Sequence, residues 1–269
     1  METVIIPDNV KSIETKCFGH CDRLKKVYLP QNMDQLADYS FGGNSVKRGN
    51  VVNVSSVKDE SPLAFGDYGG KVELYEWVDL GLPSGLKWAA WNVGATKPEE
   101  FGLYFAWGET QGYTGITATK QFSWANYKWS SDDEGTTMTK YNATDGLTIL
   151  EASDDAATAT DSGCRMPTSA ECVELTANTT SEWVDDYNGT GVAGRIFTSN
   201  VNGNSIFVPA ASLCGGGSVN GVGQGGLLWS SSLNSSYVQG AFYLEFISDY
   251  VVVGNYGRCI GLPVRAVKE

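Results

Sequence analysis

The sequence predicts an α+β fold made of short strands, two short helices and long loops, preceded by a short repeat segment. Glycine is abundant at 32 residues and proline scarce at 8, while 8 Trp and 13 Tyr favour strands over helical bundles. Near the C terminus, two stretches alternate between apolar and other residues with the period of two that strands have. Few stretches carry the signals that start a helix.

The first 43 residues contain an internal repeat. Its anchors recur 23 positions apart, as Pro7 and Pro30, Ile13 and Leu36, and Phe18 and Phe41. A fixed period in the twenties with such anchors predicts a leucine-rich solenoid. The segment resembles the BspA-like repeats of bacterial surface proteins, and Cys21, Asp22 and Leu24 fit the end of that unit. Fewer than two units fit into 1–43, so we expect the tail of a longer array or a cap on the next domain.

The composition after the repeat predicts a linker at 44–72 and a main domain at 73–269. The linker is rich in Gly, Ser and charged residues, with a strand expected near Gly49–Val54. In the main domain, Thr168 and Glu171 form a capping box that starts one helix, and a second short helix is expected in 149–160.

The rest of the main domain consists of short strands and Gly-rich loops. The strands are predicted at Trp88–Val93, Tyr104–Trp107, Arg195–Thr198, Ser205–Pro209, Leu227–Ser231, Ala241–Phe246, Tyr250–Val253 and Gly261–Val267. The Gly-rich stretch 215–226 lacks the strand–loop–helix context of a phosphate-binding loop, so we predict a flexible loop there.

Composition argues against several kinds of partner. The formal net charge of −12 and the pI of about 4.6 argue against nucleic acid, because phosphate binding needs clustered Lys and Arg. No apolar run reaches the roughly 20 residues that cross a bilayer, so no membrane insertion is expected. The start, Met1 to Thr3, lacks the features of a signal peptide. We expect a phage-borne protein, or part of a longer cell-surface, extracellular protein.

The six cysteines give little evidence of metal or redox chemistry. Cys17 and Cys21 flank His20, the single histidine, but no CxxC pair is present. A zinc site at these three residues is therefore the weaker interpretation, and small buried cysteines are the stronger one. We expect no cofactor.

A series of motifs runs in order through the main domain. The series comprises Trp77–Ala89, Asn92–Ala95, Tyr104–Glu109, Asp154–Ala157, Cys164–Glu171, Gly203–Ala211, Leu228–Ser232 and Gly261–Val267. It resembles the Fibrobacter succinogenes major paralogous domain, common in gut Bacteroidetes, over nearly all of 73–267. The resemblance implies a C-type lectin fold of the formylglycine-generating-enzyme-like branch. Many such domains are variable proteins of diversity-generating retroelements, so it also implies a fixed scaffold with a variable C-terminal segment.

Several scaffold residues are expected to be structural. Leu82–Gly85 is predicted to be a turn and Trp88 a core residue, because Pro and Gly set turn geometry. Arg165 is predicted to be a buried fork that binds a carboxylate or carbonyl groups.

Catalysis and calcium binding find little support in the sequence. The formylglycine-generating enzymes use a cysteine pair, whereas the corresponding end here, Leu262–Ala266, has no cysteine and Cys259 has no evident partner. The sugar-binding motifs of calcium-dependent lectins are absent, and the acidic pairs Asp132–Asp133 and Asp154–Asp155 are interpreted as solvated. We therefore expect a protein that is not an enzyme.

The C-terminal hairpin is the predicted recognition surface. Leu244 and Phe246, with Val251 and Val253 on the next strand, should form an apolar floor that faces the core. The opposite face carries Tyr, Ile and Val where a sheet exposed to water normally has polar residues, which indicates a contact surface. The candidate ligand-binding residues are Ser235, Ser236, Tyr237, Val238, Tyr243, Glu245, Ile247, Asp249, Tyr250, Val252, Asn255, Tyr256 and Ile260.

We therefore expect a ligand-binding display protein whose C-terminal segment varies, diversified by a retroelement. Its partner is expected to be a protein or glycan on another cell or phage host. The alternative is a static cell-surface adhesin or structural module, in which this face contacts a neighbouring domain. That alternative is strongest for Val252 and Ile260. An enzyme with a degenerate site is the least favoured interpretation.

Overall fold

A computed structural model describes residues 3–6, 12–13, 26–28, 35–36, 51–52, 75–114 and 120–269. The chain divides into two compact units, Met1–Leu74 and Tyr75–Glu269.

Short parallel strands define the N-terminal unit. In chain order they are β1 (Thr3–Ile5), β2 (Ser12–Ile13), β3 (Lys26–Tyr28), β4 (Gln35–Leu36) and β5 (Val51–Val52). Strands β1, β3 and β5 form one sheet in that order, and β2 pairs with β4. Thr3 lies opposite Lys26 and Ser12 opposite Gln35, so each pair is 23 residues apart. The period read from the sequence is therefore the offset between stacked parallel strands.

Strand β5 lies inside the segment interpreted as a linker. It pairs in parallel with β3, and Val51 lies opposite Val27, 24 residues earlier. The strand expected near Gly49–Val54 is thus a strand of the repeat sheet. The remainder of that segment, 44–50 and 53–72, lies outside the described residues.

The described residues of the C-terminal unit include two α-helices, α1 (Ala156–Thr160) and α2 (Ser169–Asn178). The predicted capping box is present: the Thr168 hydroxyl accepts from Glu171 N–H, and the Glu171 carboxylate accepts from Thr168 N–H. The Arg165 guanidinium donates to both Glu171 oxygens, over 2.8 and 2.7 Å, so the predicted fork is confirmed, although Arg165 is only part-buried. Short 3₁₀ turns lie at Trp124–Asn126, Ala152–Asp154 and Tyr187–Gly189.

The strands of this unit form small antiparallel sheets. They are β6 (Trp77–Asp79), β7 (Lys87–Ala89), β8 (Tyr104–Phe105), β9 (Thr179–Val184), β10 (Gly194–Ser199), β11 (Ser205–Pro209), β12 (Leu213–Gly215), β13 (Ser218–Asn220), β14 (Gly225–Leu233), β15 (Gly240–Ile247), β16 (Val251–Gly257), β17 (Leu262–Pro263) and β18 (Val267–Lys268). The sheets are β6–β7–β18, β8–β17, β9–β10–β11, β12–β13 and β14–β15–β16. Many short strands with few helices place the unit in the α+β or mostly β class.

The Gly-rich stretch differs from its prediction. Strands β12 and β13 form a hairpin that overlaps its first part, so 215–220 is a hairpin and not a loop. The hairpin is bonded to the rest of the unit, because Phe122 N–H donates to the Gly216 carbonyl over 2.7 Å and Cys214 N–H to that of Gly261 over 2.8 Å. Such contacts between distant segments leave no local pattern in the sequence.

The core covers one side of the β14–β15–β16 sheet. Its buried cluster consists of Leu80, Leu82, Trp88, Cys172, Leu175, Phe197, Ile206, Val208, Leu228, Leu244, Phe246 and Val267. Val251 and Val253 pack against this cluster and lie opposite Phe246 and Leu244 in the ladder, so the predicted floor is confirmed. The turn before Trp88 is also as predicted, because Gly85 N–H donates to the Leu82 carbonyl over 2.9 Å.

Within the described residues, no helix has the length and apolar character needed to span a membrane.

Candidate ligand-binding surface

The β14–β15–β16 sheet has two chemically different faces. Its inner face carries Leu244 and Phe246 and is buried in the core, and its outer face carries Tyr243, Glu245 and Ile247. Strand β15 lies in the centre of this sheet and β16 at its edge. Outer-face side chains on β15 therefore have neighbours on both sides, whereas those on β16 have neighbours on one side only.

Five outer-face residues form a connected row, which we call the outer stripe: Tyr243, Glu245, Tyr250, Val252 and Tyr256. The rings of Tyr243 and Tyr256 meet edge to face with centroids 6.4 Å apart. The Tyr243 hydroxyl donates to Glu245 Oε2 over 3.1 Å, and the Tyr250 hydroxyl donates to Glu245 Oε1 over 3.4 Å. Tyr250, Val252 and Tyr256 are 45%, 43% and 44% exposed. The stripe thus joins exposed apolar area to one carboxylate.

Tyr243 is an exception to the expected exposure, because only 7% of it is exposed. Its ring packs edge to face on Trp229 of β14, with centroids 6.2 Å apart, and crosses Gly254 of β16, which has no side chain to displace it. Burial, together with the neighbouring Glu245, raises the pKa of Tyr243 to about 12. Tyr243 therefore supports the stripe more than it offers contact area.

Asn255 and Tyr237 lie apart from the outer stripe. Asn255 is opposite Phe242 in the ladder and so belongs to the inner-face side, although it is exposed at the end of the sheet. Asn255 and Tyr256 therefore lie on opposite faces of β16, because adjacent residues of a strand point to opposite faces. Tyr237 is 54% exposed, and both it and Asn255 lie close to Gly240. These two residues form a second small patch.

The remaining candidates divide by burial. Ser235, Ser236 and Asp249 are exposed, and Ile247 is half-buried. Val238 and Ile260 are half-buried because both pack on a second core cluster that contains Tyr104 and Phe122. Part of their surface therefore stabilises the scaffold.

Two arginines that the sequence analysis did not single out hold the hairpin in place. Arg195 donates from Nη1 to the carbonyls of Ile247 and Tyr250, which fixes the turn between β15 and β16. Arg258 is fully buried and donates to the Val238, Lys140 and Tyr141 carbonyls over 2.9 to 3.0 Å. An isolated Arg in sequence carries no signal for such a role, since its partners are backbone carbonyls of distant segments.

Metal and small-molecule sites find less support than this surface. No group of three or more His, Cys, Asp or Glu suited to a metal ion occurs among the described residues. The pair Asp154–Asp155 is not solvated as expected but buried, because lysine side chains donate to Asp154 and backbone N–H groups donate to Asp155. Cys17, His20 and Cys21 lie outside those residues. A cavity of about 500 Å³ is lined by Tyr113, Lys120, Gln121 and Asn126. Lys120 is ion-paired with the largely buried Glu109, so its charge is already matched.

Comparison with known proteins identifies the N-terminal part of the chain. Residues 1–66 match the family described as BspA type leucine-rich repeat region (6 copies). No curated protein and no solved structure gives a match. The leucine-rich repeat predicted from the 23-residue period is therefore confirmed for the N-terminal part of the chain.

Proposed function

We propose that this is a ligand-binding display protein, in which the outer stripe contacts a protein or glycan on another cell or phage host. Tyr250, Val252 and Tyr256 carry the proposal. They lie together, each more than two-fifths exposed, on a sheet whose other face is buried in the core. Exposed tyrosines on a fixed backbone supply contact area at low entropic cost, as in antibody loops.

The proposal extends to the scaffold and its location. The motif series of the C-terminal unit supports membership of the major paralogous domain family with a C-type lectin fold. The BspA-type repeat supports display at a cell surface. Neither catalysis nor a cofactor is part of the proposed activity.

Diversification by a retroelement is the finer part of the proposal. The outer stripe and the core floor alternate along β15 and β16, so outer residues can change while the floor is retained. A near-copy of the segment coding for the hairpin, differing mainly at adenines and adjacent to a reverse transcriptase gene, is the expected genomic finding. Without such a copy, binding would be by a fixed surface.

Array binding tests the display function. The whole protein would be applied to arrays of glycans and cell-surface proteins, alongside the double variant Tyr250→Ala/Tyr256→Ala. We expect the double variant to lose binding with little change in melting temperature, because both side chains are exposed and interface tyrosines contribute strongly to affinity.

The variant Tyr237→Ala is the matched control. Tyr237 is at least as exposed as the stripe tyrosines but lies in the second patch, so its variant should keep binding. Binding that needs Tyr237 and not the stripe would contradict the proposal. A double variant that loses stability would instead favour the static module, in which the stripe packs on another domain.

A further inference from the structure

The outer stripe contains one carboxylate, that of Glu245. Within the described residues, no Lys or Arg nitrogen forms an ion pair with Glu245. The nearby Arg195 is directed to the carbonyls of Ile247 and Tyr250 and to Ser181. Glu245 therefore presents its negative charge at the centre of an otherwise apolar and aromatic row.

The Glu245 carboxylate is held in a fixed orientation. One tyrosine hydroxyl donates to each of its oxygens, Tyr243 to Oε2 and Tyr250 to Oε1. The charge of Glu245 raises the pKa of Tyr250, and burial with that charge raises the pKa of Tyr243, so both phenols stay protonated donors near neutral pH. Each carboxylate oxygen keeps further lone-pair capacity for a ligand. An acceptor pair oriented before binding loses little entropy when it binds.

We infer that the outer stripe binds an arginine side chain of a protein ligand, with Glu245 accepting both parallel N–H groups of the guanidinium. This inference rests on the proposed display function. A guanidinium matches a carboxylate in two parallel hydrogen bonds, and its plane and apolar stem can pack on an aromatic ring such as Tyr250, whose hydroxyl reaches Glu245. An ammonium group lacks the fork, and a neutral sugar has no charge to match Glu245. The net charge of −12 also favours a basic partner over an acidic one.

A titration followed by amide NMR tests this inference on the whole protein. The probes are N-acetyl-arginine methylamide, N-acetyl-lysine methylamide and N-acetyl-glutamine methylamide. We expect the arginine probe to shift the amides around Glu245 and Val252 in a saturable manner. The lysine probe should bind more weakly, and the glutamine probe should cause no saturable shift.

Glu245→Gln is the decisive variant, because it removes the charge and keeps an oxygen that can accept from a tyrosine. It should weaken binding of the arginine probe by at least about tenfold, the effect of losing a charge-assisted pair. Glu182→Gln is the matched control, since Glu182 is an exposed strand glutamate in another sheet, on β9, and should leave binding unchanged.

Three results would overturn the arginine site: an equal response to the arginine and glutamine probes, equal binding of the lysine probe, or full binding by Glu245→Gln. The experiments can refute the arginine site without refuting the display function. Array binding that needs Tyr250 and Tyr256 but survives Glu245→Gln would overturn the arginine site alone.

Discussion

The position of a tyrosine in the sheet decides what that residue does. Tyr243 and Tyr256 lie on the same face and their rings touch, yet one is buried and the other is 44% exposed. Tyr243 is on the central strand between Trp229 and Gly254, whereas Tyr256 is on the edge strand. The alternation in the sequence predicted the face correctly. The alternation could not predict how exposed each tyrosine is. Exposure depends on whether the strand is central or at an edge of the sheet, and the order of strands in a sheet cannot be read from a local stretch of sequence.

The hydroxyl of Tyr243 makes stability dependent on alkaline pH. Its pKa is raised from 10.0 to about 12 in the folded protein, so its contribution to stability is complete below about pH 10 and is lost as pH rises toward 12. Tyr243→Phe removes this titration. We expect the free energy of unfolding, measured in urea at several alkaline pH values, to fall less steeply in the variant than in the wild type. Parallel curves of unfolding free energy against pH would contradict this prediction. The other buried tyrosines titrate in both proteins, so their contribution drops out of the difference between variant and wild type.

At the level of strands and helices, the sequence predicted those elements that have a local pattern. Strand β11 has the predicted bounds, and α2 begins at the predicted capping box. Strands β12 and β13 were missed because each has three residues, too few to show an alternation of apolar side chains, and they lie beside a run of glycines. Their hairpin is held by hydrogen bonds to Phe122 and Gly261, which are distant in the sequence. Strand β16 continues through Gly254 and Asn255, four residues past its predicted end, because its ladder with β15 continues there.

The two faces of β15 and β16 should differ sharply in their tolerance of substitution. Leu244→Ala should lower the free energy of unfolding by about 2–5 kcal/mol, because it leaves a cavity in the core. Val252→Ala should change it by less than about 0.5 kcal/mol, since Val252 is 43% exposed. Chemical denaturation of both variants checks this contrast. Similar losses in the two variants would mean that the outer face is also packed.

On the scale of the whole molecule, the chain consists of two units with different architectures. In the part of the chain that the structure describes, the N-terminal unit stacks parallel strands at intervals of 23 and 24 residues, and the C-terminal unit has antiparallel sheets and two helices. The period could be predicted from the sequence because successive repeats carry similar anchor residues at the same positions. The extent of the repeat sheet was harder to predict, since Val54 stands after β5 where Pro7 and Pro30 follow β1 and β3.

Residues 75–269 should fold as an independent unit. This segment forms one compact unit with its own buried core, which is the usual property of a domain. We expect a fragment of these residues to unfold in a single cooperative transition and to retain the near-ultraviolet circular dichroism of its folded aromatic core. A fragment with no cooperative transition would show that the repeat region is needed for its stability.

The candidate site was predicted in outline, with its chemistry left open. The hairpin and its floor followed from the alternation of apolar residues, and eight of the candidate residues are exposed: Ser235, Ser236, Tyr237, Asp249, Tyr250, Val252, Asn255 and Tyr256. The arrangement of Glu245 between two phenol hydroxyls depends on side-chain contacts within and beyond the strand. Such contacts are visible only in three dimensions.

The alternation of faces in β15 and β16 has a consequence at the level of codons. Glu245, Val252 and Tyr256 can be altered by changing single triplets, and the adjoining triplets for Leu244, Phe246 and Val253 have to stay constant. A gene library that randomises only the triplets for the exposed Val252 and Tyr256 and the half-buried Glu245 should therefore yield mostly folded proteins with new outer surfaces. A library that randomises every triplet of the hairpin should yield mostly unfolded ones.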